Sequence, residues 1–182
     1  MRAPYTIRVV GDPVLRAAAA EITDIDGRLV KLAGDMLETM YEAPGLGLAA
    51  PQVGVGKRLF VYDLDPEHRD DPKVLVNPQI VESHGEWTYE EGCLSIPGLS
   101  FEIVRPKEVH LVGRDLDGNE VSVEADELTA RLFQHELDHL DGVLMTERMD
   151  PDTKKRALRE IRAMRDRLEE PPSSASKGLR FG

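Results

Sequence analysis

The chain has 182 residues, 41% hydrophobic and 31% charged, with a formal net charge of -11 and one cysteine. That balance describes one ordinary folded domain and excludes wholesale disorder or a repeat array. A lone cysteine excludes an internal disulfide, an acidic chain repels DNA, no segment reaches the ~18 apolar residues of a membrane span, and no secretory signal opens the sequence, so a cytoplasmic protein without DNA or membrane partners is expected.

The predicted elements follow in chain order. Strands are expected over Tyr5 to Val10, Arg58 to Leu64, Lys73 to Val76, Phe101 to Val104, Lys107 to Asp115 and Asn119 to Glu124, from β-branched or alternating runs between turn residues. Asp117-Gly118 between the last two predicts a hairpin. Ile25, Leu29, Leu32, Met36 and Met40 are spaced for a helix that starts at a cap on Asp24 and stops at Pro44-Gly45. A second helix is expected from Asp126 to Asp141, ending at Gly142, and a third from the cap Asp150 with Pro151 at its first position to about Glu170. Strands without strand-helix alternation predict an α+β fold. Residues 1–170 read as one domain and 171–182 as a flexible Pro/Ser-rich tail. Charge divides unevenly: residues 1–150 hold 14 Lys and Arg against 29 Asp and Glu, whereas residues 151–182 hold 9 against 5.

The second helix carries His135-Glu136-Leu137-Asp138-His139, an H-E-x-x-H pattern in which two imidazoles one turn apart can share a metal ion. At 100° per residue Leu128, Leu132, His135 and His139 fall on a stripe about 60° wide, with Glu136 on its shoulder. Glu127, Arg131, Gln134, Asp138 and Asp141 form a narrow polar strip, and Arg131 is expected to make a structural ion pair. Core histidines satisfied by hydrogen bonds are the plainer alternative. Two imidazoles and a carboxylate in one buried turn all need partners, however, and a divalent cation satisfies all three.

Two histidines do not complete a site. Met145 stands where one metalloprotease variant places a third histidine, and Glu160 lies on the basic third helix as a surface charge. Cys93, in Glu90-Glu91-Gly92-Cys93-Leu94-Ser95, is the best third ligand, leaving a fourth position for water. Gly45-Leu46-Gly47-Leu48-Ala49-Ala50-Pro51-Gln52 is small, apolar and uncharged; it permits close approach of a ligand and ends on an amide donor.

Together, in this order and at these separations, the three segments resemble the peptide deformylase family over about Val10 to Leu168. The resemblance implies antiparallel sheets wrapped around a buried central helix that carries the H-E-x-x-H motif, plus a C-terminal helix. It implies removal of the N-formyl group from formylmethionine at the start of new polypeptides, with Cys93, His135 and His139 as metal ligands. Fe(II) is the expected native ion, with zinc, nickel or cobalt as substitutes, although the ligand types alone point to zinc. A metal-bound water is the implied nucleophile and Glu136 the proton shuttle. The Gln52 amide and the Leu94 backbone N–H complete an oxyanion hole. The peptide is expected as an added strand along Leu46 and Gly47, with the methionine side chain against Tyr89, Leu128 and Leu132.

The resemblance also suggests a ribosome contact through the C-terminal helix, with Leu158, Ile161 and Leu168 facing the body. A solvated charged face is the alternative reading of that helix. For the activity, the rivals are a zinc peptidase of the H-E-x-x-H class and a noncatalytic binder of nascent chains.

Overall fold

The computed structural model describes residues 3–170, so the expected tail at 171–182 lies outside the described residues. After a 3₁₀ turn at Pro13–Arg16 come helix α1 (Gly27–Glu42), strand β1 (Gly47–Ala49), a 3₁₀ turn at Ala50–Val53 and strand β2 (Leu59–Tyr62). Strands β3 (Lys73–His84), β4 (Trp87–Cys93), β5 (Ile96–Arg105), β6 (Glu108–Arg114) and β7 (Glu120–Asp126) follow, then helix α2 (Glu127–Leu140), a 3₁₀ turn at Met145–Arg148 and helix α3 (Pro151–Glu169). The fold is α+β, as expected.

All strand pairings within the two sheets are antiparallel. One sheet has the order β1-β2-β3-β6-β7, and the hairpin β4-β5 forms a second. Because successive side chains of a strand face opposite sides, the fully buried β2 serves two cores at once. Leu59 and Val61 pack with Leu29, Leu32, Met36 and Met40 of α1, whereas Phe60 and Tyr62 pack with Phe133, Leu137 and Leu140 of α2. A third core joins Phe101 and Ile103 of the hairpin to Ala157, Ile161 and Met164 of α3. Helix α2 is thereby enclosed between the large sheet and the hairpin. It ends where Gly142 turns at φ 72°, and a Cβ there would lie 2.7 Å from the Arg16 carbonyl oxygen.

Several expectations are corrected. Tyr5 to Val10 is not a strand: the Arg8 N–H donates to Gln52 and the Val10 N–H to Ser95, on two different turns, so no ladder forms. The first helix is capped by Asp26, whose carboxylate accepts from the Leu29 N–H at 2.9 Å, and not by Asp24. Strand β3 runs past Val76 to His84 through a register shift at Asn77 and Pro78, and β4, unpredicted because charged residues interrupt its alternation, pairs along β5. Leu158 and Leu168 are 51% and 58% exposed, because the buried stripe of α3 is Ala157, Ile161 and Met164. Among the described residues no helix is long and apolar enough to cross a membrane.

Candidate metal centre

Helical geometry sets His135 and His139 one turn apart on α2, with their Nε2 atoms 3.1 Å from each other. Cys93, at the end of β4, brings its sulfur to 3.3 Å from His139 Nε2. The three donor atoms lie within 4.8 Å of one another.

The Glu91 carboxylate accepts from His135 Nδ1 at 2.6 Å, which fixes the tautomer and turns the Nε2 lone pair toward the other two donors. Acceptor atoms this close need a proton or a cation among them, and tetrahedral N and S ligands stand about 3.3 to 3.8 Å apart around an ion bound at about 2.0 to 2.3 Å. The residues therefore fit a divalent metal. Burial pushes the Cys93 thiol up, but the neighbouring His139 and His135 outweigh it and hold the pKa well below the ordinary thiol range.

Glu136 is buried beside this cluster. Burial raises its carboxyl above the usual range, against the pull of the imidazoles, and its Oε2 has no hydrogen-bond partner among the described residues. The carboxylate lies against Gly47, where an added Cβ would stand 2.6 Å from Oε1, so a side chain at 47 would displace the carboxylate from this position. Gln52, 1% exposed, accepts from the Ala49 N–H through Oε1 and donates through Nε2 to Ser95 Oγ, with Nε2 also 3.8 Å from the Cys93 sulfur. Its amide nitrogen thus faces the cluster.

A cleft of about 680 Å³ opens over these groups. Leu46, Gly47, Tyr89, Leu94, Leu128 and Leu132 all line it, together with Gln52, Cys93, His135 and Glu136. Every expected site residue is therefore at one place, although Tyr89 and Leu128 sit at its rim, each 42% exposed.

Glu91 and Arg105 went unassigned in the sequence. Arg105 donates to Glu91 from Nε at 2.9 Å and Nη2 at 2.7 Å, and Arg131 adds a bond from Nη1 at 2.8 Å, so Arg131 makes its expected ion pair in the interior. Burial pushes the Glu91 carboxyl up, but the bonds from His135 and Arg105 hold it well below the ordinary carboxylate range. The signal for Arg105 was its place in the inward series Phe101, Ile103, Arg105.

Residues 4–155 match the profile of the polypeptide deformylase family. The chain belongs to this family. It is an enzyme of that type, and hydrolase chemistry, metal binding and N-terminal processing in protein biosynthesis go with membership. The peptide deformylase of Agathobacter rectalis is 50% identical over 145 residues, which cover 80% of this chain and 89% of the relative. That of Acidothermus cellulolyticus is 49% identical over 156 residues, 86% and 84% of the two chains. Among solved structures, the Legionella pneumophila peptide deformylase superposes with a TM-score of 0.84 at 38% identity over 92% of this chain and 99% of that one. The Synechococcus elongatus peptide deformylase, solved in complex with actinonin, does so with 0.83 at 39% identity over 94% and 91%.

Proposed function

We propose that residues 1–170 form one catalytic domain that removes the formyl group from N-formylmethionyl polypeptides in the cytoplasm, and that Cys93, His135 and His139 hold a single divalent ion, Fe(II) in the native enzyme. The observation that carries the reading is the convergence of these three donors with Glu136 and the Gln52 amide at the foot of one cleft. When bound, the ion supplies Lewis-acid activation of a water and of the formyl carbonyl.

Glu136, buried and raised in pKa, takes the proton released by the attacking water and gives it to the departing amine. The Gln52 Nε2 and the Leu94 backbone N–H donate to the oxygen that gains charge. β1 is the outer strand of its sheet, so its free edge at Gly47, with Leu46 just before it, can accept the peptide as a further strand. Leu128, Leu132 and Tyr89 receive the methionine side chain.

Formate release by anaerobically purified, metal-analysed protein tests the reading. Release from short formyl-Met peptides, with no cleavage of unformylated ones, is expected. Cleavage of internal peptide bonds would favour the zinc peptidase instead. Iron enzyme should lose activity in air faster than nickel enzyme, because ferrous iron beside a thiolate meets oxygen.

For the C-terminal helix we propose a contact with ribosomal RNA. Lys155, Arg156, Arg159, Arg162, Arg165 and Arg167 are all exposed on α3, and Lys154 is partly so. Because α3 also fills the third core, truncation would unfold that region, and reversing the charges of Arg156, Arg159 and Arg162 to Glu is the cleaner test. Co-sedimentation with ribosomes should fall in the reversed protein and fall steeply with salt in the parent. Equal co-sedimentation restores the solvated face.

A further inference from the structure

The charged cluster that holds His135 does not end in the interior. Asp138, three residues on along α2, accepts from Arg105 Nη1 at 2.8 Å through Oδ2 and from Arg148 Nη2 at 2.6 Å through Oδ1, with Arg148 Nε 3.1 Å from Oδ2. The side chains of Glu91, Arg105 and Asp138 are 5%, 4% and 9% exposed, whereas that of Arg148 is 47% exposed. Arg148 closes the 3₁₀ turn between α2 and α3 and borders a second cleft of about 540 Å³, which also meets α2 at Gln134, Asp138 and Asp141. At 100° per residue Asp138 lies about 60° around α2 from His135, and Gln134 and Asp141 lie further around, away from the side that lines the substrate cleft. A partly solvated arginine is thus joined to His135 through three buried charged groups in succession.

Oδ2 of Asp138 is shared by both arginines, whereas Oδ1 accepts from Arg148 alone. Without Arg148, Oδ1 of a buried carboxylate loses its donor, which is costly unless Asp138 turns toward Arg105 or admits water from the second cleft. Either change pulls on Arg105, whose Nε and Nη2 are committed to Glu91. Glu91 in turn orients the His135 ring.

We infer that Arg148 is a positioning residue for metal retention: by holding Asp138 it keeps Arg105 on Glu91, and so keeps His135 Nε2 aimed at Cys93 and His139. The inference rests on the reading that these three residues hold a divalent ion.

Nickel-loaded enzyme challenged with excess EDTA gives the test, comparing Arg148→Ala, Arg148→Lys and, as a charge-matched control, Arg114→Ala at the exposed end of β6. Loss of a group bonded directly to a ligating histidine costs about 10- to 100-fold in metal affinity, and a group three contacts further out should cost less. Arg148→Ala should release nickel roughly 3- to 10-fold faster than the parent. Arg148→Lys should fall between, since lysine keeps the charge but not the two-pronged contact, and Arg114→Ala should match the parent.

In the zinc form, the proton NMR signal of His135 Nδ1–H should exchange faster with water in Arg148→Ala, a local effect that general destabilisation would not single out. Release equal to the Arg114→Ala control overturns the inference, as does faster release with an unchanged His135 signal. A parent protein that takes up no nickel or zinc brings down the metal reading itself, and this inference with it.

Discussion

Helices α2 and α3 are both amphipathic, yet they are held in opposite ways. Of the 14 residues of α2, ten are buried, among them Arg131, His135, Glu136, Asp138 and His139. Of the 19 residues of α3, three are buried, and all three are apolar. The family profile covers all of α2 but stops at residue 155, in the first turns of α3.

Their N-termini differ in the same sense. Asp150 caps α3 by accepting from the N–H groups of Asp152 and Thr153, whereas Asp126 makes no side-chain cap bond at the start of α2. A helix enclosed by two sheets is stabilised by what surrounds it, and its charged groups must find partners there. An exposed helix depends on its cap and one narrow stripe. The enclosed helix can therefore carry chemistry, since neighbours from distant parts of the chain fix each polar atom.

The largest test of that contrast is Glu136→Gln. It should lower formate release on the order of 10²-fold or more while metal content, measured by atomic emission, stays at the parent level. Normal turnover would remove Glu136 from the chemistry. On stability, Phe133→Ala should cost about 3 to 5 kcal/mol in urea unfolding, because its ring is fully buried against Phe60 and Tyr62.

Ile161→Ala on α3 should cost about 2 kcal/mol, at the low end for such a truncation, because its stripe is narrow and borders solvent. Equal losses at Phe133 and Ile161 would break the comparison. The smallest effect is expected at the α3 cap. Asp150→Ala should lower the melting temperature by roughly 2 to 4 °C, and Asp126→Ala by less. The Asp150 carboxyl is held below its ordinary 3.8 by hydrogen bonds from Thr153, so its contribution is complete above that value and disappears as the pH falls through the folded pKa. Melting curves between pH 7 and about pH 2 should show the difference between parent and Asp150→Ala closing only at the acid end.

The same contrast explains which features could be read in advance. Spacing along α2 located the histidine stripe, yet it assigned Arg131 and Asp138 to a polar strip, and they are 3% and 6% exposed. Periodicity treats a charge as seeking water. Here the charges have partners on other elements: the buried Glu91 and Arg105, and the partly solvated Arg148. Tyr5 to Val10 had the composition of a strand but no neighbouring strand to pair with, and β4 had a neighbour but little alternation of its own.

The sequence by itself determined the helix that carries His135 and His139, the hairpin at Asp117-Gly118, the α+β class and the three segments that place the chain in its family. These depend on local backbone geometry or on motif order, both written along a short stretch. Only the tertiary structure decided that Cys93 meets His139 across 46 positions, that Gly47 clears space for Glu136, and that a charge cluster runs from His135 out to Arg148. Such contacts depend on strand register and on how several buried surfaces close together, and no local pattern encodes that sum.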